Sequence, residues 1–487
     1  MKRLLLSLFF VGLANILMAQ HIEFSLGTKT NRKAYTPKLI HIFPSTSDEL
    51  VLVVEPKISA LSRVKGINVR LCNRDWVDEK RIQIPNSRGA EIRGAFLNGN
   101  VLHIITSQVK TNQLILRHLS VDSRSLDIIA DEEIMKVKKK YDNDYYWAAS
   151  SPDGNYFGVV CSLKNRETKA MIFDKGMEKL WEQQLFHGEI SGIFVSNDGT
   201  IFTAAIGNAK GVKDKDLLKV NMAYKDGERH GEFLVEEHLE QMTLLNSRDN
   251  KVLAVALENK RSNAIIIAGG KYTGVYTYVL DLEKGEISAA ERHAFTESDI
   301  RTLENLSATS SVSNEKTDNV KMLGYCATPQ GGAIMLQRIW MAERRNAMAG
   351  STTSTSYHRK GILLMQIDME GRFNCINSIM QNNQNATMVF GSAIVYHNNK
   401  LYVVTNESKD ENDEYTPDIP AKSSKNHVFA NYALAIYSFT NDGVGAKQML
   451  ERNEKTILMS PLYHAENGKY YFLAGAQHPR ICSINIP

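Results

Sequence analysis

Proline is scarce in these 487 residues, 11 in all, and glycine at 31 is ordinary, so collagen-like and low-complexity chains are excluded. A surplus of one charge is missing too: 58 Lys and Arg against 54 Asp and Glu leave +4. Setting Lys2 and Arg3 aside with the leader described below leaves a balance still closer to neutral. That balance argues against nucleic acid as a partner, because phosphate binding wants a clear basic excess. Beyond the leader no apolar run approaches the ~20 residues of a membrane span, so none is expected in the mature chain. The five cysteines (Cys72, Cys161, Cys326, Cys375 and Cys482) are odd in number, and none sits at CxxC or metal-ligand spacing. Each lies in an apolar strand-like run, as in Phe157-Gly158-Val159-Val160-Cys161, and they are expected as unpaired, buried small hydrophobes. An exported compartment would also permit one disulfide.

Catalytic signatures are missing as well. There is no GxSxG, no HExxH, no GxGxxG after a strand and no complete phosphate loop. Gly269-Gly270-Lys271 is followed by Tyr272 where such a loop requires Ser or Thr. Asp410, Asn412 and Glu414 alternate as in a calcium loop, but Tyr415 stands where the loop needs Gly, so a solvated acidic loop is expected. The expectation is no cofactor and no metal. Hydrophobic residues at 43% with 23% charged residues do support a sizeable core.

What is present begins with MKRLLLSLFFVGLANILMAQ. A basic start, an apolar stretch from Leu4 to Leu17 and the small Ala19 form the pattern of a secretory signal peptide over 1–19. The mature chain, 20–487, is expected as a single exported domain, periplasmic, at the outer surface or extracellular.

Repetition decides the architecture. A short apolar strand, a turn of Asp, Asn, Gly or Ser, and a second strand rich in β-branched and aromatic residues recur eight times. The turns centre on Asp48, Gly99, Gly154, Gly199, Ser262, Gly331, Asn399 and Gly468, 45 to 69 residues apart. For the fifth unit, the segment around Asn250 would also serve. Such turns permit the positive φ that tight hairpins require. A third strand and often a fourth follow each hairpin, and no convincing amphipathic helix is seen. The pattern predicts an all-β propeller of about eight four-stranded blades, with seven as the alternative. The last unit holds three strands, ending ICSINIP, whereas HIEFSLG at the mature start is a lone strand. Residues 22–27 are therefore expected to complete the C-terminal blade and close the ring.

Ser151-Pro152-Asp153-Gly154 before an apolar strand resembles the hairpin of periplasmic WD40-like propeller repeats, with Asn197-Asp198-Gly199 as a partial copy. Ser150 stands where those repeats often carry an aromatic residue. Most of the chain is similar to exported propeller-like proteins of Bacteroidota whose function is unassigned. The similar stretches are the leader ending Ala19-Gln20, AIIIAGGKYTGVYTYVLDL, GGAIMLQRIW with GILLMQIDMEG, and LYVVTNESKDEN with LAIYSFTNDG. The resemblance implies the propeller and supplies no activity.

The insertions carry the functional expectation. In a propeller, loops joining strand B to C and blade to blade emerge on one face, and the hairpin turns on the other. The long segments 207–216, 296–319, 340–360 and 406–430 all belong to the first class. Long loops on a rigid scaffold are where binding usually resides. Segment 340–360 brings Trp340, Tyr357 and His358 together with Arg344, Arg345 and Arg359, a composition enriched at binding hot spots. Trp340 and Tyr357 are expected as apolar anchors, Arg344 and Arg345 as charge, with the acidic 406–430 beside them. The preferred reading is a non-catalytic binding or scaffold module for a protein, peptide or glycan. The alternative is a hydrolase or lyase with catalytic groups around the central channel.

Overall fold

The computed structural model describes residues 22–26, 41–45, 50–58, 64–73, 75–141, 144–163, 168–186, 190–208, 215–259, 271–306, 317–345, 353–381, 383–385, 391–408, 432–451, 457–458, 462–464, 468–475 and 480–487. Eight antiparallel sheets follow one another along the chain, and in the first seven the four main strands pair in sequence order. They occupy 41–83, 91–138, 145–185, 192–235, 239–294, 320–379 and 392–451, with 457–485 in the eighth. From blade 1 to blade 7 the first strand of each sheet lies against the first strand of the next. His41–Pro44 of blade 1 in turn packs against Tyr463–His464 and Lys469–Gly475 of blade 8. The molecule is a β-propeller of eight four-stranded blades.

The core follows from that arrangement. Each hydrophobic cluster described straddles two successive blades: Leu52 and Val54 meet Leu102 and Ile104, and Val255 and Leu257 meet Ile334 and Leu336. Middle strands are covered on both faces, which explains continuous apolar runs such as the fully buried Val51–Val54. The outer strand of blade 5, Glu286–Ala294, instead alternates exposed and half-buried residues, as one covered face requires.

Turn chemistry is as regular as the packing. In Ser151-Pro152-Asp153-Gly154 the Ser151 hydroxyl donates to Asp153 Oδ1 at 2.6 Å and accepts from the Tyr156 N–H at 3.0 Å. Gly154 has φ +72°, which a side chain would strain. Ser196-Asn197-Asp198-Gly199 forms a similar turn one residue shorter one blade on, the Ser196 hydroxyl donating to Asp198 and accepting from the Thr200 N–H at 3.2 Å, and the two turns touch where the Asp153 N–H donates to Asn197 Oδ1 at 3.1 Å. Turns between third and fourth strands commonly open with Asp or Asn. Asp122 accepts from the N–H groups of Ser125 and Arg124, which holds its carboxyl below the ordinary carboxylate range. Asn73, Asp174, Asp281 and Asp368 make equivalent bonds.

Glu23–Leu26 pairs antiparallel with Arg480–Asn485, Glu23 opposite Asn485 and Leu26 opposite Cys482, and forms the outer strand of blade 8. Three expectations need adjustment. The fifth hairpin turns at Asp249-Asn250, both at positive φ, between Leu239–Arg248 and Lys251–Asn259; Ser262 lies outside the described residues. A helix, Glu297–Glu304, occupies the connection from blade 5 to blade 6. Segment 340–360 is largely strand, continuing the second and third strands of blade 6.

None of the five cysteines forms a disulfide, and Cys72, Cys161 and Cys482 are buried. Thiol titration in denaturant of the intact protein is expected to recover five free thiols; three would mean a disulfide.

One buried polar pair makes stability depend on pH. His103 and His118, 4% and 7% exposed, stack at 5.2 Å with Nδ1 and Nε2 3.0 Å apart, and Phe96 covers His103. Burial, and for His103 then the neighbouring imidazole, lowers both to about 4. The unfolded chain takes up these protons near pH 6.5, the folded one near 4. Stability from the pair is therefore fully present above about pH 7 and is lost as pH falls through 6.5 towards 4. Urea midpoints measured from pH 7.5 to 4.5 are expected to fall on the acid side, and His103→Leu with His118→Leu to flatten that limb.

Candidate functional site

The loop-bearing face of blades 5 and 6 is built from a helix and a β-ribbon. The helix starts at Thr296, whose hydroxyl accepts from the Asp299 N–H at 3.2 Å while Asp299 Oδ2 accepts from the Thr296 N–H at 2.8 Å, a reciprocal capping box. His293 Nε2 lies 2.8 Å from the same oxygen. Burial works against the Asp299 charge, but the bonds from His293 and Thr296 outweigh it and hold the carboxyl below its ordinary range. Ile300 and Leu303 enter the core shared by blades 5 and 6. The Thr296-Glu297-Ser298-Asp299 signature is visible in the sequence, but the helix is only eight residues long, too short for periodicity to reveal.

The helix rests on strand Thr353–Asp368 at Gly361, where a Cβ would collide with the Thr302 carbonyl oxygen. Thr302 Oγ1 also donates to Ser378 Oγ at 3.0 Å. Below it, Arg338 donates to Asp318 Oδ1 from Nε at 2.9 Å and to Glu304 from its terminal nitrogen. Thr317 Oγ1 holds the other oxygen of Glu304 at 2.5 Å. Lys360 stands nearby; burial and then Arg338 lower its pKa, against the pull of Glu304.

From this root the ribbon extends. Gly331–Arg345 and Thr353–Asp368 run 15 and 16 residues, where second and third strands of the other blades run 6 to 11. A bulge between Gln337 and Ile339 re-aims the pair as it leaves the blade. Pairing continues to Arg345 opposite Thr353, and Asn383–Asn385 adds a third strand opposite Tyr357–Arg359.

The expected site residues all fall on this ribbon. Trp340 is opposite His358, Tyr357 opposite Met341, Arg344 opposite Ser354 and Arg345 opposite Thr353. The side chains of Trp340, Arg344, Arg345 and Tyr357 lie outside the described residues. His358 is half-buried, its pKa lowered by burial and by Lys360. Arg359 is in the interior, 4% exposed, and burial brings its guanidinium down to about 10. It belongs to the ribbon's base. Most of the acidic 406–430, including Asp410 to Glu414 and Asp418, is outside the described residues, as is most of 207–216.

Among the described residues no group of three or more His, Cys, Asp or Glu side chains could hold a metal, and no helix is long and apolar enough to cross a membrane. The His293–Asp299 pair has the look of a catalytic dyad, yet His293 sits on the outer strand of blade 5 and the Asp299 carboxylate is engaged in the cap of its own helix.

No family model matches the chain, and no curated protein matches it. Solved structures do. A quinohemoprotein alcohol dehydrogenase from Pseudomonas putida HK5 aligns at 10% identity over 95% of this chain and 76% of its own, TM-score 0.41. The Dos1 propeller aligns at 10% identity over 94% and 95%, TM-score 0.44. The β-propeller domain of the Trilobed protease from Pyrococcus furiosus aligns at 12% identity over 86% and 100%, TM-score 0.37. At this distance the likenesses concern the fold and carry no inference about activity.

Substituting Gly361→Ala is expected to push the helix off its strand and cost about 1–3 kcal/mol, read as a lower Tm. Unchanged melting would mean that the helix yields without penalty.

Proposed function

We propose that this chain is an exported, non-catalytic propeller that binds a protein, peptide or glycan through the loop-bearing face of blades 5 and 6. The observation that carries this reading is the β-ribbon formed by Gly331–Arg345 and Thr353–Asp368, with its root fixed by Arg338, Glu304 and Asp318. A blade needs no such extension to pack against its neighbours. A rigid root beneath a projecting ribbon presents contact residues at low entropic cost, the condition for tight recognition. The residues placed there, Trp340, Tyr357, Arg344 and Arg345, are of the types that dominate binding hot spots. Arg359 is left out of the contact set because it is buried. Export rests on the leader pattern of 1–19. The hydrolase or lyase alternative loses its most suggestive pair, since His293 and Asp299 cap a helix at the periphery.

The test replaces 341–357 by a short Gly/Ser turn, keeping His358 and Arg359. Glycan arrays and photo-crosslinking in the producing cell compare this variant with the full chain. The expected result is a nearly unchanged Tm together with at least about a tenfold loss of affinity for whatever the full chain binds. A folded variant with unaltered binding would move the site elsewhere, and an unfolded one would make the ribbon structural.

A further inference from the structure

We propose that removal of the leader is what allows the ring to close. The strand that completes blade 8 is also the first described segment of the chain. Ile22 is 6% exposed, within the core shared by blades 7 and 8. Its backbone is gripped at both ends by one side chain of blade 7: the Ile22 N–H donates to Gln448 Oε1 at 3.2 Å, and Gln448 Nε2 donates to the Ile22 carbonyl at 2.7 Å. Glu23–Leu26 then pairs residue by residue with Asn485 back to Cys482.

In the uncut chain only Met18, Ala19, Gln20 and His21 separate the apolar stretch ending at Leu17 from Ile22, a reach of about 14 Å even when fully extended. Glu23 pairs with Asn485, at the end of its strand where the other blades carry their turns between third and fourth strands. An uncleaved leader held in the bilayer would therefore have to emerge from the turn-bearing face. Docking of Ile22 would press that face against the membrane and desolvate turn carboxylates such as Asp122 and Asp442. The tethered precursor keeps blade 8 at three strands, with the edge of Arg480–Asn485 unpaired. Hydrolysis of the leader bond, water supplying the new amine and carboxylate and an export peptidase the catalysis, frees residue 20. The strand then docks and Gln448 locks it. This inference rests on the leader and is independent of the ribbon's role.

Cys482 supplies the readout, because it is fully buried opposite Leu26 on the strand that waits for its partner. Ala19→Phe blocks cleavage, and the precursor and the mature protein are treated with a maleimide under native conditions in the exporting cell. Labelling is then mapped to individual cysteines. Cys482 is expected to react about tenfold or more faster in the precursor, as an opened local unit does, while Cys72 and Cys161 stay equally protected in both. Gln448→Ala in the mature chain is expected to raise Cys482 labelling part of the way. Equal protection of Cys482 in precursor and mature protein overturns the proposal. So does simultaneous loss of protection at Cys72 and Cys161, which would mean global unfolding, or a wild-type protein that still begins at Met1.

Discussion

No blade of this protein can bury its own faces. A twisted four-stranded sheet has two apolar sides and no helix layer to cover them, so each must lie against another sheet. Every cluster described, from Leu52 with Leu102 to Val404 with Phe472, is shared between neighbours. Each apolar side chain so buried is worth about 1.5–3 kcal/mol, and that gain exists only while the adjacent blade is in place. Closure of the ring is thus a condition on all the cores together. It explains why blade 8 is assembled from both parts of the chain.

The two faces answer to different constraints. On the turn-bearing face the connections are short, and several are tied to the next blade: Thr277 Oγ1 reaches the Gly371 carbonyl at 2.5 Å, and Gln366 Nε2 the Thr440 carbonyl at 3.0 Å. Asn246 does the same across to Thr328 and Gly331. Length there is limited by the bonds that must be made. The opposite face is stitched too, the Leu239 N–H donating to Asp216 Oδ2 at 2.8 Å and the Leu458 N–H to Asn406 Oδ1 at 2.9 Å, but beyond those bonds it also carries the helix and the ribbon. Recognition can vary on that side without loss of register on the other.

Much of the fold was legible because period-two burial and turn residues are local signals. Ser151 to Gly154 could be read directly, and HIEFSLG could be matched to a C-terminal unit lacking a strand. For the fifth turn, read at Ser262 with Asn250 as the alternative, the alternative holds, and the positive φ is taken by Asp249 and Asn250 themselves. Long-range polar contacts had no local signal. Gln241 bridges blades by donating to the Val320 carbonyl at 2.8 Å and accepting from the Met322 N–H at 3.1 Å, and Gln448 grips Ile22 in the same manner. A glutamine amide imitating strand backbone looks like any other glutamine in sequence. The candidate site was legible as a segment but not as a shape: composition picked out 340–360, whereas its form as a ribbon, and the burial of Arg359, depend on pairing partners as distant as Asn383.

The root of that ribbon has a kinetic side. Arg338 and Lys360 bring two positive charges, Glu304 and Asp318 two negative ones, all within one contact group. Such a quartet sums to zero and projects little field beyond a Debye length of about 8 Å. It therefore fixes the ribbon's direction without attracting or repelling what approaches. Encounter at this face is left to diffusion and to the charges outside the quartet, those carried further out on the ribbon above all, and the quartet itself adds little to the salt dependence of association.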